Sequence, residues 1–335
     1  MKKYNSRDYL YICGLIKTKE RYLLTQDKVE KMIESKNPDD ALKVLYELDY
    51  GFPNDEIPAE GFETLLSREL EYTFRLILSL APEPEYFEVF LYTNDYHNVK
   101  SLLKAELLGI SAERLMASPA QIPEDELIAM VRDRDYSKMR EHMAEGIRDA
   151  LDKYSISRDP QMIDLILDQA CYRDINKKVS EIDNKYIKEY MSLRIDTINL
   201  KSFVRIKAMG KSFKYYEKVF YEGGKIPVSL FAEHYNEPPE KFEERLGEFG
   251  MRTLFHEGTL VANEIGSFAV FEKLCDNLLM DFIRETKHIA YGIQPLVNYI
   301  VAKKSELKSA RIIMTGKLAN IPEAVIWERI RHTYV

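Results

Sequence analysis

Through the stretch MIDLILDQACYRDINKKVSEI, residues 162–182, apolar side chains return every three to four positions, the spacing that gathers them on one face of a helix. Asp159-Pro160 just ahead offers an N-cap and a first-turn proline, so one long helix is predicted there. A similar run, FAVFEKLCDNLLMDFIRETKHIA, has Ser267 before it as a cap; Gly292 interrupts, and Gln294-Pro295 opens LVNYIVAKKSELKSARIIM. Nearer the N-terminus, the segment APEPE at 81–85 separates another two amphipathic runs. The pattern therefore predicts pairs of helices of about 20 to 25 residues, each some 30 to 37 Å long at about 1.5 Å per residue. Between the pairs, residues 21–51, 111–146 and 225–250 carry shorter amphipathic pieces broken by Pro or Gly, which predict small helices capping the ends of the long ones.

The pairs repeat in sequence as well as in pattern. DYHNVKSLL at 95–103 returns as DTINLKSFV at 196–204 and, less faithfully, as SELKSARII at 305–313. Asn98 and Asn199 are 101 residues apart, and Glu306 lies 107 beyond Asn199; Asp95 and Asp196 stand three residues ahead of the two Asn. Eleven residues after each Asn comes Gly109 or Gly210, and ten after Glu306 comes Gly316, each predicted to end its helix in the left-handed conformation. An apolar-acidic pair precedes the anchor by 35, 35 and 34 residues: Phe62-Glu63, Ile163-Asp164 and Phe271-Glu272. Units of about 100 residues exceed the 34 to 47 of tetratricopeptide and HEAT arrays. Three successive, similar all-α domains are predicted, at 1–109, 110–210 and 211–335, with room for helices of neighbouring repeats to interleave.

Composition narrows what such a chain does. A length of 335 residues suits subdivision, and 14 Gly with 13 Pro favour long, uninterrupted helices. A net charge of −7 argues against a general affinity for nucleic acid or anionic lipid. Cys13, Cys171 and Cys275 form no CxxC pair, pointing to neither a zinc site nor a redox dithiol, and to a reduced compartment. YLYICGLI near the N-terminus is too short for a signal peptide, and no apolar run approaches the roughly 18 residues that cross a bilayer.

Candidate chemistry is sparse. Met209-Gly210-Lys211-Ser212 resembles the tail of a phosphate-binding loop, but Arg205 stands where its first Gly is required, leaving a helix C-cap. Glu285-Thr-Lys-His288 has the E-x-x-H spacing of a metal-ligand pair; a di-metal bundle needs a second such pair, and none of the other His has an acid three residues upstream. Gly223-Gly224 reads as an interdomain turn. No catalytic residue, cofactor site or metal site is assigned. Lys100, Lys201 and Lys308 admit two readings. They complement the helix macrodipole, with the Asn and Ser bonding to a neighbouring helix or to solvent, or they point a shared polar ring at a partner.

With the repeats laid out, the whole chain resembles the C subunit of bacterial and archaeal V/A-type ATPases, the family that includes the eukaryotic d subunit. The opening DYLYICGLIKTKERYLLTQDKVEKMIESKNPDDALKVLYELDYG is similar to the family's aromatic-rich first helix, LLT stretch and acidic helix ending in Tyr-Gly. The closing PLVNYIVAKKSELKSARIIMTGKLANIPEAVIWERIRHTYV carries its Pro-Leu-Val, Glu-Leu-Lys-Ser-Ala-Arg-Ile-Ile, Gly-Lys-Leu and terminal Tyr-Val. Ser309-Ala310 departs from the Asn-Leu the family pattern leads one to expect before Arg311. The resemblance implies three helical domains in a pseudo-threefold funnel, monomeric within its complex. It would receive the central shaft, made of the D and F subunits, at its mouth and rest on the cytoplasmic side of the membrane rotor ring (c/K subunit). It implies a non-catalytic rotor part coupling ATP hydrolysis to H+ or Na+ movement, with no lipid insertion. The repeat then nominates Lys100, Lys201, Lys308 and Arg311 for shaft contact. A free-standing helical scaffold, and a carboxylate metalloenzyme built on Glu285 and His288, are the rival readings.

Overall fold

A computed structural model describes residues 5–51, 57–112 and 115–335. Among them there is no strand, and sixteen α-helices carry the chain. The fold is all-α, as the sequence predicts. By its contacts the chain separates into two compact units, one formed by the residues up to Pro84 together with Glu237–Val335, the other by Glu85–Asn236.

The first unit contains α1 (Leu10–Lys19), α2 (Gln26–Ile33), α3 (Pro38–Glu47) and α4 (Phe62–Leu80), then α12 (Pro239–Leu246), α13 (Arg252–Ile265), α14 (Ala269–Glu285), α15 (Ile293–Leu318) and α16 (Glu323–Arg329). Its axis is α15, against which α1, α2, α3, α4, α14 and α16 all pack. That explains why α15 buries residues on several faces, unlike an amphipathic surface helix, leaving Arg311 and Thr315 exposed. Leu307, Ala310, Ile313 and Met314 of α15 share a core with Val29, Met32 and Ile33 of α2, Val44 and Leu45 of α3, and Leu65 and Leu66 of α4. Residues near the two ends of the chain therefore fold into one hydrophobic core.

The second unit contains α5 (Tyr92–Leu108), α6 (Glu124–Arg132), α7 (Glu141–Ser157), α8 (Gln161–Glu181), α9 (Lys185–Ala208), α10 (Phe213–Glu217) and α11 (Val228–His234). Helix α8 packs on α7, α5 and α9. The predicted long helices are present as α4 and α5, α8 and α9, and α14 and α15; α8 packs on α9 and α14 on α15, whereas α4 belongs to the first unit and α5 to the second. Asp159 accepts from Gln161 N at 3.0 Å at the start of α8, and Ser267 accepts from Ala269 N at 3.3 Å at the start of α14. The small helices α2, α3, α6, α11 and α12 occupy the broken stretches. Three helices go beyond the reading of the sequence: α7 and α13, each placed before the long pair of its repeat, and the short α10 after α9.

Two helix ends follow expectation and one does not. Gly109 and Gly210 take positive φ of 66° and 64° as α5 and α9 terminate, and Lys211 N closes back on Ile206 O at 3.2 Å, so the GKS stretch is a helix C-cap. Gly316, by contrast, lies inside α15, which continues to Leu318; the left-handed residue there is Asn320, at φ 53°. Gly316 is small for another reason: a Cβ on it would lie 2.7 Å from Ile326 of α16. The E-x-x-H pair is also displaced from its reading. Helix α14 stops at Glu285, leaving exposed His288 beyond its end and off any shared helix face.

Candidate interaction site

The repeated polar residues of α5, α9 and α15 define the only recurrent chemistry in the sequence, and each copy performs the same mechanical task. In α9 the buried Asn199 amide holds one residue of a later loop by both backbone groups: its Oδ1 accepts from Tyr221 N at 2.9 Å and its Nδ2 donates to Tyr221 O at 2.7 Å. One turn earlier, Asp196 accepts from Lys225 N at 2.9 Å and Ile226 N at 3.0 Å. A loop that descends onto a helix buries backbone polar groups that need partners. The Asp-x-x-Asn spacing supplies them. The approach is close enough that a Cβ on Gly224 would fall 2.1 Å from Asp196 Oδ1, which gives the Gly223-Gly224 turn its reason.

Helix α5 repeats the device. Asn98 grips Ala117, accepting at 2.6 Å and donating at 3.0 Å, and Asp95 accepts from Gln121 N and Ile122 N at 2.8 and 3.1 Å. Here the second carboxylate oxygen also takes Arg140 at 2.8 Å. Arg140 lies 3.6 Å from Asp174, which accepts from Tyr96 at 2.6 Å, and stacks over the Tyr92 ring at 4.0 Å. Burial pushes the Asp95 carboxyl above its ordinary range, opposed by Arg140 and the two backbone donors. Burial does the same to Asp196, which has its backbone donors and the more distant Lys225 in opposition.

Helix α15 keeps the positions and inverts the chemistry. Lys303 stands where Asp95 and Asp196 stand, and Glu306 replaces the Asn. Glu306 accepts from Leu24 N and from the Tyr50 hydroxyl, 282 and 256 residues away in sequence, both in the N-terminal segment. Lys303, 1% exposed, donates to Glu306 at 2.7 Å and pairs with Glu69 of α4 at 3.0 Å, between the rings of Tyr50 and Tyr299. Burial pulls the Lys303 ammonium down, but Glu306 and Glu69 outweigh it and hold it well above the usual lysine value. For Glu69 the balance is reversed: burial pushes its carboxyl up more strongly than Lys303 lowers it. The third copy thus staples the beginning of the chain where the first two staple the loop that follows them.

The residues nominated from the repeat lie on the flanks of these staples. Lys100 pairs with Asp168 of α8 at 2.7 Å, Lys308 with Asp276 of α14, and Arg311 forks onto Glu63 of α4 at 2.6 and 2.9 Å. Lys201, half-buried on α9, has an interaction within the chain as well. Lys303, Glu69, Tyr50 and Arg140 were not singled out from the sequence. A usable signal existed for Lys303, since it lies 107 residues after Asp196, the same interval that separates Glu306 from Asn199. Among the described residues no cluster of three or more His, Cys, Asp or Glu has the geometry of a metal site, and no helix is long and apolar enough to cross a membrane.

Long helices whose repeated polar residues tie down loops and the N-terminal segment make up this all-α protein. Residues 12–329 match the ATP synthase (C/AC39) subunit family, and the chain belongs to that family of non-catalytic V/A-type ATPase components. It is similar to the C subunit of the V-type sodium ATPase of Enterococcus hirae, 23% identical over 98% of this chain and 99% of that one. It is also similar to the C subunits of two A-type ATP synthases: that of Methanocaldococcus jannaschii, 24% identical over 95% of this chain and 85% of the relative, and that of Methanobrevibacter smithii, 24% identical over 96% and 88%.

Proposed function

We propose that the chain is the rotor spacer of a V/A-type ATPase, joining the central shaft, made of the D and F subunits, to the membrane rotor ring on the cytoplasmic face. In that place it transmits torque between ATP hydrolysis and H+ or Na+ transport. One observation carries the reading: the family match runs almost end to end, over residues 12–329. Close-packed helices tied by internal hydrogen bonds deform little, which suits a part that passes torque. The reading keeps the division into three domains at 1–109, 110–210 and 211–335.

Lys100, Lys201, Lys308 and Arg311 are the proposed shaft-facing set. Because Lys100, Lys308 and Arg311 already hold carboxylates of this chain, shaft binding on this reading adds an acid to an existing pair. Co-purification with the D–F shaft and with the membrane ring, assayed separately, tests the whole reading. Recovery of both is expected, and recovery of neither overturns it. Reversing the charge of all four residues should weaken shaft binding in a calorimetric titration; unchanged affinity removes the set.

A further inference from the structure

The three copies differ most in charge where their last long helix ends. Residues 201–218, running from α9 through α10, contain six Lys or Arg and a single acid, Glu217, in a chain whose net charge is −7. The equivalent 18 residues from Lys100 hold three Lys or Arg and two Glu, and those from Lys308 hold three Lys or Arg and one Glu. The helix macrodipole accounts for Arg205 and Lys207, which lie in the last turn of α9. It does not account for Lys211, Lys214 and Lys218, which continue the basic run beyond that helix. All three are exposed, as is Arg205, and among the described residues Lys211, Lys214 and Lys218 form no ion pair.

This face is rigidly backed. Phe203 of α9 and Tyr216 of α10 meet at 5.4 Å, Phe213 and Tyr216 at 5.8 Å, and Tyr216 and Phe231 of α11 at 5.3 Å. The Tyr235 hydroxyl donates to Lys211 O at 2.8 Å. A surface whose backbone is already ordered loses less entropy on association than a flexible loop does. Met209, 64% exposed, and Tyr215, with Lys211 5.9 Å from its ring centroid, set apolar area among the cations.

We propose that this basic face, Arg205 to Lys218, is a docking surface for an acidic segment of a neighbouring protein, present in the second copy alone. The partner is a polypeptide rather than a lipid surface because the overall negative charge of the chain opposes approach to an anionic bilayer, whereas an acidic segment matches the face locally. Its assignment to a neighbour in the complex rests on the function proposed above; the preference for an acidic chain does not.

The test uses the full-length protein with poly-L-glutamate of about 20 residues, at about 0.05 M and about 0.3 M salt, where screening lengths differ by more than twofold. The patch variant K211E/K214E/K218E is compared with K36E/K153E/K185E, an equal reversal at exposed lysines elsewhere. The wild type should bind in a salt-sensitive way, the patch variant should lose affinity by about tenfold or more and the control by about twofold or less. Equal losses in both variants, or no binding by wild type, overturn the proposal. So does a selective loss of binding to phosphatidylserine vesicles with poly-glutamate binding unchanged. If the other ATPase components fail to co-purify with wild type while the poly-glutamate result stands, the complex reading fails and the acidic-partner surface survives.

Discussion

Helices α9 and α15 solve one problem with opposite chemistry. Each ties down a backbone segment from the repeated polar positions, but Asp196 and Asn199 hold a loop 22 to 30 residues ahead, whereas Glu306 holds Leu24, 282 residues behind, and Lys303 pairs with carboxylates instead. A single contact closing a loop nearly tenfold longer costs roughly 2 kcal/mol more chain entropy. The α15 site offsets that with a shared core and more cross-links to the N-terminal helices: Lys303 to Glu69, Arg311 to Glu63, and Lys317 to Ser35 O at 2.8 Å. The lesson is topological. Where the first two copies hold the loop that follows them, the last holds the N-terminal segment, so residues far apart in sequence complete its module.

The comparison breaks most severely at Lys303. Lys303→Met keeps the length of the side chain but strands Glu69 and Glu306 beside each other in the interior, where loss of one partner of a buried pair costs about 3 to 5 kcal/mol. Denaturant unfolding should show a loss of that size. A loss below about 1 kcal/mol would mean that the two carboxylates reach water or share a proton without cost, contrary to the burial of the cluster.

Asp196→Ala probes the local version. It leaves Lys225 N and Ile226 N without their acceptor, at about 1 to 3 kcal/mol for each buried group left unpaired, partly relieved by water entering the vacated space. The expected net loss is about 2 to 3 kcal/mol, smaller than at Lys303 because no charge is stranded. Amide exchange should accelerate at residues 225 and 226 and leave residue 24 protected. Faster exchange at Leu24 in this variant would show that the two staples are not separate.

The helix pairs were legible because long runs with a period near 3.6 and flanking Gly or Pro leave little ambiguity. Helix α7 was not: its buried face, Met143, Ala144, Ile147 and Ala150, is built from small or flexible residues, and it starts inside a stretch that Pro and Gly mark as broken. Gly316 misled for the same reason that Gly109 did not. A glycine near a helix end reads as a cap, yet close approach of another helix selects the same residue. The polar anchors were visible as a repeat, but not what they hold, because hydrogen bonds to backbone groups leave no pattern at the receiving end. Lys303 was hidden by its neighbours. A lysine followed by Lys304, amid apolar residues, looks like a solvated edge until this face of the helix is known to be buried against α4.

A smaller effect probes the lysine–carboxylate cluster of α15 by pH. The Glu69 carboxyl is held above its unfolded value of 4.5 by burial, so the folded state binds the proton more tightly than the unfolded state does. The stability this contributes is complete below the unfolded value and is lost as pH rises through the raised one. Glu69→Gln should remove that part of the downward slope from about pH 4.5 upward. Because Asp95 and Asp196 are displaced in the same direction, the informative quantity is the difference between variant and wild type across the window. A variant whose pH profile parallels the wild type would take Glu69 out of the titrating cluster.

The smallest expected effects lie at the flanking ion pairs, and they discriminate between holding the fold and holding a partner. Arg311 and Glu63 are each about half exposed, 48% and 50% by side chain, and Lys100 with Asp168 is 19% and 37% exposed. Pairs open to water contribute about 0 to 1 kcal/mol, so Arg311→Gln and Lys100→Gln should each cost less than that in unfolding measurements, with Lys100→Gln the costlier of the two. If these variants fold with near wild-type stability yet lose shaft affinity, the repeated cations serve the partner. A stability loss above about 2 kcal/mol with shaft affinity intact would instead make them helix-to-helix ties, continuous with the staples they flank.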